Sequence, residues 1–256
     1  MPAQSPLRNR LLTALAAANR SGLESYLERV ELARGRVLHA AGERIDLIWF
    51  PETMVVSLRV GLAGGAAVEV GTVGCEGFIG HAVLLGDRTT TIESVVQVPG
   101  SGLSLPVDAF QAVLNTSSDF HQLAGRSTRA FFLQVALVAA CNRLHRAEQR
   151  IARWLLMTQD RVGADELLLT HEFLAEMLGA TRSTATLALG TLQRAHLVHT
   201  AWGRITILNR AGLEAASCEC YAATRAEYER LLGADSCVTS PHARVAPSGR
   251  ARAPGA

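Results

Sequence analysis

The spacing of hydrophobic and polar positions changes several times along the chain, and each change indicates a different kind of element. Residues 11–30 follow a helical period. Between residues 35 and 105, short runs rich in valine alternate with polar positions and are separated by glycines. Alternation over a few residues indicates half-buried strands, and many short strands between turns predict a β-sandwich or jelly-roll barrel. The predicted strands span residues 37–39, 45–50, 55–60, 67–70 and 92–98.

A long helical pattern follows these strands. A helical turn begins near Pro106, and residues 118–142 then form one predicted helix. The second half of this helix is apolar on all sides, so it needs a partner surface. A coiled seam between two copies of the helix would cover it. The apolar residues available on one side are Phe120, Leu123, Phe131, Val135, Val138 and Cys141.

The C-terminal half contains a predicted pair of short helices followed by a hairpin. Thr170 and Thr181 are hydroxyl N-caps of the two helices, and Gly179 supplies the left-handed residue that ends the first one. A β-hairpin follows, with its turn at residues 201–203. This order is the outline of a winged helix-turn-helix, in which one helix end enters the major groove of DNA.

We therefore predict an α+β chain in four parts. Residues 1–117 form a sheet-rich domain with flanking helices, and residues 118–143 form a long helix and a hinge. Residues 144–233 form the winged helix-turn-helix, which begins with an amphipathic helix and ends with a final helix after the hairpin. Residues 234–256 are rich in proline, glycine, alanine and arginine without periodicity, which predicts a disordered tail.

Composition narrows the class of protein. A chain of 256 residues with 48% hydrophobic content can hold two packed domains. No apolar run approaches the roughly 20 residues that a membrane span requires, and the N-terminus lacks a signal-peptide pattern, so a cytoplasmic protein is expected. The net charge is only +2, but residues 141–212 carry nine arginines and six carboxylates. No GxSxG, P-loop or HExxH motif is present, so no enzyme is predicted.

The five cysteines do not form a paired CxxC set. Cys218 and Cys220, separated by one residue, are candidates for a redox or metal contact. A tetrahedral zinc site needs four ligands. The sequence offers too few neighbouring ligands around these two cysteines, so no metal site is predicted.

A β-barrel, a long helix and a winged helix-turn-helix in this order resemble the catabolite-activator/fumarate-nitrate-reductase (Crp/Fnr) family of bacterial transcription regulators. The resemblance covers about residues 10–230 and is most specific in RIARWLL, LTHEFLAEMLGATRSTAT and GRITILNRAGLEAASCECY. It implies a β-roll of the cyclic-nucleotide-binding type and a homodimer through residues 118–143. Two recognition helices would then enter successive major grooves about 34 Å apart, on a roughly palindromic operator.

The resemblance also assigns roles on the second helix of the pair. Arg182 matches the family's guanine-reading arginine, whose fork suits the O6 and N7 edge. Ser183 stands where many members have a glutamate, and Leu187 stands where a second arginine is common, so a different half-site is expected. Thr184 matches a hydroxyl that contacts phosphate. The predicted DNA-contacting residues are Thr170, His171, Thr181, Arg182, Ser183, Thr184, Thr186 and Leu187.

A candidate effector pocket follows from the same resemblance. In cyclic-nucleotide-binding relatives, a glutamate at the start of a short helix holds the ribose, and an arginine followed by serine or threonine holds the phosphate. The segment 76–81 resembles that opening, but His81 stands where the glutamate belongs, and an imidazole cannot replace a carboxylate as acceptor for two ribose hydroxyls. No cyclic nucleotide is therefore expected. The candidate pocket residues are Glu76, Gly80, His81, Arg88 and Thr89.

No cofactor is predicted. No cysteine precedes Cys75, which argues against an N-terminal iron–sulfur cluster, and haem ligation by Cys75 or His81 is chemically open but not expected. The predicted function is a homodimeric, sequence-specific DNA-binding transcription regulator, with an unidentified effector in the β-roll left open. The alternative is a small-ligand, redox or haem sensor module whose DNA binding is secondary. The expected partners are double-stranded DNA, a second copy and RNA polymerase, without a membrane.

Overall fold

A computed structural model describes residues 7–15, 22–63 and 67–233, and the predicted tail at 234–256 lies outside them. The N-terminal part is a β-roll of two antiparallel sheets. One sheet has the order β1-β7-β3 and the other has the order β2-β6-β4-β5. The strands are β1 (Glu28–Leu32), β2 (Val37–His39), β3 (Leu47–Pro51), β4 (Val55–Gly61), β5 (Ala67–Val73), β6 (Glu93–Val98) and β7 (Gly100–Pro106).

Alternating side chains of the strands build the core of the β-roll. Ile48 and Phe50 on β3 lie opposite Leu105 and Leu103 on β7, and all four side chains are buried. Aromatic rings complete this core, because Phe110 packs against Phe78 and Phe120. The short helices that cover the β-roll are α1 (Arg10–Thr13), α2 (His81–Leu84) and α3 (Val107–Thr116).

The long helix α4 (Ser118–Leu144) begins at Ser117, whose Oγ accepts a hydrogen bond from Phe120 N at 3.2 Å. Phe120, Phe131, Val138 and Cys141, which the sequence places on one apolar side of this helix, are all buried within their own chain. These four side chains are therefore not available for a seam between two copies, and the predicted homodimer contact within residues 118–143 would need another face of the helix. The opposite face carries exposed Phe132, Ala136 and Ala139.

The C-terminal domain consists of helices around a three-stranded sheet of order β8-β10-β9. Its core is formed by side chains that the amphipathic patterns place inward, including Ile151, Leu155, Leu174 and Leu189. The elements are α5 (Ala147–Val162), β8 (Glu166–Leu168), α6 (His171–Leu178), α7 (Arg182–Arg194), β9 (Val198–Ala201), β10 (Arg204–Ile207), α8 (Arg210–Ala216) and α9 (Glu219–Leu232).

The structure corrects two further expectations. Residues 28–32 form strand β1, not the end of a helix, because they pair in antiparallel register with β7. The single helix predicted after the hairpin is two helices, since the chain is extended at Ser217 and Cys218 between α8 and α9. This break turns Cys218 and Cys220 back toward the end of α4, where they cluster with Cys141.

A buried arginine joins the C-terminal domain to the β-roll. Arg161, near the end of α5, donates from Nε to Glu76 Oε1 at 2.9 Å. Its Nη2 donates to the carbonyl of Thr72 and to Gln134 Oε1, each at 3.0 Å. One guanidinium therefore connects α5, the β-roll and α4, and its neutralisation of Glu76 makes the burial of both charges tolerable.

A buried glutamate forms a second contact between the two domains. Glu69 on β5 accepts hydrogen bonds from Ser57 Oγ (2.7 Å), Gln97 Nε2 (2.8 Å) and, across the interface, Trp154 Nε1 (3.2 Å). Burial raises the pKa of Glu69 to about 7, against the opposing effect of these hydrogen bonds and of nearby Arg153. The interface therefore contains a carboxyl group that titrates near neutral pH.

Within the described residues, no helix combines the length and apolar character needed to cross a bilayer.

Candidate nucleic-acid interface

The first helix of the pair, α6, begins and ends as its sequence dictates. Thr170 Oγ1 accepts a hydrogen bond from Phe173 N at 3.2 Å, which caps the helix start. Gly179 ends the helix with a φ of 57°, a left-handed conformation that suits glycine. His171 contacts Thr186 Oγ1 through Nδ1 at 3.1 Å. This contact joins the start of α6 to the following helix.

Helix α7 presents a polar N-terminal end to solvent. Thr181 Oγ1 accepts from Thr184 N at 3.2 Å and also lies 2.8 Å from Ser183 Oγ. Ala185, Leu189 and Leu192 are buried, as the helical spacing predicts. The opposite face carries exposed side chains at Arg182, Ser183, Thr184, Thr186 and Leu187.

Arg182 is the strongest candidate for a ligand contact on this surface. It is the first residue of α7 and is exposed. Its side chain forms neither an ion pair nor a hydrogen bond with another residue of the described segments. A free guanidinium offers five N–H donors in a fixed plane, which suits phosphate oxygens or a guanine edge.

The hairpin behind α7 forms an exposed wing. Trp202 and Gly203 make its turn with φ values of 50° and 75°, and Trp202 is 99% exposed. Arg204 begins β10 and pairs with Glu166 on β8. The sequence predicted the turn but did not include Trp202 among the candidate DNA-contacting residues. A large aromatic side chain at a hairpin turn was the available signal.

A cleft of about 540 Å³ opens between α7 and the wing. Gln193 spans part of it, since its Oε1 accepts from the backbone and hydroxyl of Thr200 at 3.2 and 2.6 Å. His171, Thr186 and His199 also line the cleft. These two hydrogen bonds connect the wing directly to α7.

The structure separates the five candidate effector residues. The carboxylate of Glu76 is buried against Arg161 rather than open to a ligand. Arg88 pairs with Asp108 and also hydrogen-bonds Gln111 on α3, while Thr89 bonds to Asp87. Glu76 and Arg88 therefore bind different partners within the chain. The structure does not bring them together in one ribose–phosphate pocket, and this corrects the hypothesis drawn from the sequence.

Gly80 and His81 form part of the packed core. Gly80 has a φ of 115°, and a Cβ there would lie 2.4 Å from the Ile48 side chain. The His81 ring lies between Phe78 and Phe131, with centroid distances of 4.6 and 4.7 Å. Burial, followed by repulsion from His39, lowers the pKa of His81 to about 4. The imidazole is therefore neutral at physiological pH and stacks as an aromatic residue.

The structure also corrects the expectation that Cys218 and Cys220 lack further ligands. Cys141 and His145 come from the end of α4 and join them in one cluster. Cys141 and Cys218 are 77 positions apart in the sequence. A search for short motifs therefore does not find this cluster.

Residues 149–216 match the Crp-like helix-turn-helix domain. No curated protein sequence matches the chain significantly. The region that matches includes α5, both helices of the pair and the wing, which are the elements that build the exposed surface described above.

Solved structures share the architecture of the chain. A Crp/Fnr-family regulator from Eubacterium rectale has 18% identity and a TM-score of 0.62, covering 80% of this chain and 96% of its own. A CRP-family regulator from Thermus thermophilus has 20% identity and a TM-score of 0.62, with coverage of 74% and 96%. The c-di-GMP responsive global regulator CLP from Xanthomonas campestris has 16% identity and a TM-score of 0.62, with coverage of 75% and 99%.

Fold and exposed surface together define a winged helix-turn-helix protein with an N-terminal β-roll. The chain carries a Crp-like helix-turn-helix domain and has the fold of the Crp/Fnr transcription regulators. The predicted Crp/Fnr-type fold and the predicted helix-turn-helix domain are confirmed.

Proposed function

We propose that the protein is a homodimeric transcription regulator that binds a roughly palindromic DNA operator. The observation that carries this proposal is the exposed N-terminal end of α7, where Arg182 has no ionic partner among the described residues. The wing stands beside it, with Trp202 in solvent. A helix end and a hairpin presented together are suited to the major groove and the adjacent DNA backbone.

Recognition of the DNA sequence would depend on a small number of side chains of α7. Arg182 would donate two hydrogen bonds to a guanine edge. Leu187 is 72% exposed, and its apolar side chain suits a thymine methyl group. Ser183 discriminates less than a carboxylate would, so the half-site depends mainly on Arg182 and Leu187. Thr170, His171, Thr181, Thr184 and Thr186 would position the helix on the backbone.

The exposed face of α4 supports the homodimer. Phe132 is 73% exposed, and Ala136 and Ala139 follow it at helical spacing on the same face. Small side chains around one large ring allow two helices to approach closely. A twofold pair formed in this way would present two α7 helices to successive major grooves, about 34 Å apart.

The β-roll would act on DNA binding through its contacts with α5, without a cyclic nucleotide. The engagement of Glu76 by Arg161 and of Arg88 by Asp108 supports this part of the proposal. Haem, iron–sulfur clusters and catalysis have no role in it. RNA polymerase is the proposed partner at the promoter, and the activity belongs in the cytoplasm.

Selection from a random duplex library, followed by fluorescence anisotropy, tests the DNA proposal. We expect a twofold-symmetric site to emerge and to bind at least about 1,000-fold tighter than a scrambled duplex, with affinity that falls steeply as salt rises. Failure to enrich any sequence, or equal binding of selected and scrambled duplexes, would contradict sequence-specific recognition. Addition of cyclic AMP during the same measurements should change neither affinity nor melting temperature.

A further inference from the structure

Four side chains with metal-binding atoms meet at the junction of the long helix and the C-terminal domain. Cys141 lies in the last turn of α4, His145 follows it, and Cys218 and Cys220 lie at the start of α9. All four potential ligand atoms lie within 4.8 Å of one another. The three cysteines are free thiols and are buried.

The distances in this cluster agree with tetrahedral coordination of one ion. Bonds of about 2.3 Å to sulfur and about 2.0 Å to nitrogen place neighbouring ligand atoms roughly 3.5 to 3.8 Å apart around a tetrahedral zinc ion. Cys141 Sγ lies 3.5 Å from Cys218 Sγ, and Cys220 Sγ lies 3.7 Å from His145 Nδ1. Only small movements would therefore be needed to close the four atoms around an ion.

The surroundings of His145 favour metal ligation. Its Nε2 lies 3.2 Å from Glu219 Oε1, on the side of the ring away from Cys220. A carboxylate at Nε2 holds the proton there and leaves the Nδ1 lone pair free toward the sulfurs. This is the histidine–carboxylate arrangement that orients metal-bound imidazoles.

The local charges also suit a cation bound by thiolates. A zinc ion with three thiolates and one neutral imidazole carries a net charge of −1. Arg153 is 6% exposed and interacts with the Cys141 sulfur. Its guanidinium can offset that charge inside the protein, where an uncompensated ion is costly.

We propose that Cys141, Cys218 and Cys220, through Sγ, and His145, through Nδ1, bind a structural Zn²⁺ ion. Three thiolates and an imidazole form a donor set that zinc prefers, and a complete set of four protein ligands leaves no open position for catalysis. Binding displaces the thiol protons into solvent, with no change of oxidation state. The ion would fasten the end of α4 to the start of α9 and so fix the hinge at His145.

Metal analysis of the full chain tests this proposal. The protein is expressed in zinc-supplemented medium, purified without a polyhistidine tag under reducing conditions, and measured by inductively coupled plasma mass spectrometry. We expect about one zinc ion per chain. Cys218→Ser and His145→Gln should lose most of it, whereas His121→Gln, which changes an exposed histidine on the same helix, should retain it. A chelator should lower the melting temperature of the wild type and of His121→Gln, but not that of Cys218→Ser.

Substitution of the wild type with Co²⁺ gives a test that needs no variant. Intense visible d–d bands with a thiolate charge-transfer band would support tetrahedral sulfur coordination. A wild type that takes up no zinc from reduced, zinc-containing buffer would overturn the proposal. Iron with acid-labile sulfide, a Cys141–Cys218 disulfide that persists under these conditions, or undiminished zinc in Cys218→Ser would also overturn it.

Discussion

Arg182 differs from three other arginines of the C-terminal domain in that its side chain has no partner among the residues that the structure describes. Arg161, Arg204 and Arg210 all pair with carboxylates in the C-terminal domain or across its interface. An exposed guanidinium is well hydrated, so leaving it unpaired costs the folded protein little. Because the guanidinium is unpaired, both of its outer nitrogens can donate hydrogen bonds to the edge of a base without first breaking an ion pair within the protein.

Arg182→Ala should weaken operator binding by about 1–3 kcal/mol, because the substitution removes the bidentate contact that we propose to one guanine. The loss should disappear when the base pair that Arg182 reads is already replaced. Anisotropy titrations against the operator and a set of single-base-pair variants measure both effects. Arg225→Ala, which changes an exposed arginine on α9, provides the control. An equal loss on operator and scrambled duplex would assign Arg182 to the backbone instead.

At the scale of single elements, local chemistry explains which parts could be predicted. The caps at Thr170 and Thr181 and the left-handed Gly179 depend only on near neighbours, and all three have the predicted conformations. Strands β1, β7 and β8 were missed. The sequence of β7, GSGLSLP, has little strand propensity of its own. It becomes a strand because β1 and β3 pair with it on both sides.

The two faces of α4 show another feature that the hydrophobic pattern of the sequence cannot predict. A helix that is apolar all round needs two partner surfaces, and the pattern does not say which residues face which partner. The chain itself covers the face of Phe131 and Val138. The apolar residues that the sequence placed on one side of the helix therefore face inward, and the exposed Phe132 lies on the face that we propose for the contact with a second copy.

If the proposed homodimer forms through the exposed face of α4, Phe132→Glu should convert it into a monomer. It should raise the dimer dissociation constant by about 100-fold or more, since a buried unpaired charge costs several kcal/mol and about 1.4 kcal/mol is a factor of ten. Sedimentation equilibrium measures this constant directly. Gln122→Glu places the same charge on the same helix, roughly a quarter turn away from Phe132, and should leave the dimer intact. Unchanged association of Phe132→Glu would remove this face from the interface.

At the scale of the whole molecule, the domains are joined by polar contacts that lie far apart in sequence. Arg161 reaches Glu76 across 85 positions, and Trp154 reaches Glu69 across 85 as well. No local pattern identifies such pairs. Glu76 was therefore assigned to a ligand pocket by resemblance, although in the folded chain it neutralises a buried arginine. The cysteine cluster escaped detection for the same reason.

The buried Glu69 should make stability depend on pH. Its pKa is raised from 4.5 to about 7 on folding, so between these values the folded chain binds more protons than the unfolded chain. The contribution of Glu69 to the free energy of unfolding should therefore be most favourable below pH about 4.5 and fall as the pH rises through about 7. The total loss is at most about 3 kcal/mol, at 1.36 kcal/mol per pKa unit.

Urea unfolding of the wild type and Glu69→Gln at several pH values between 5 and 8 isolates this contribution. The variant should gain stability relative to the wild type as the pH rises, because the amide cannot ionise. Subtraction of the two curves cancels the opposite effect of His81, whose lowered pKa favours the folded chain as the pH rises toward 6.5. Glu31→Gln, at an exposed position of β1, controls for the loss of one negative charge. A constant difference between wild type and Glu69→Gln would contradict the assignment.

The turn of the wing gives the protein a built-in optical probe. The chain has three tryptophans. Trp154 is 3% exposed and Trp49 is partly covered, while the indole of Trp202 is surrounded by solvent. A small water-soluble quencher such as acrylamide will therefore extinguish the emission of Trp202 well before that of the other two. A DNA duplex that covers the hairpin should protect Trp202 from the quencher and so restore its fluorescence. Binding could then be followed in real time without attaching a dye.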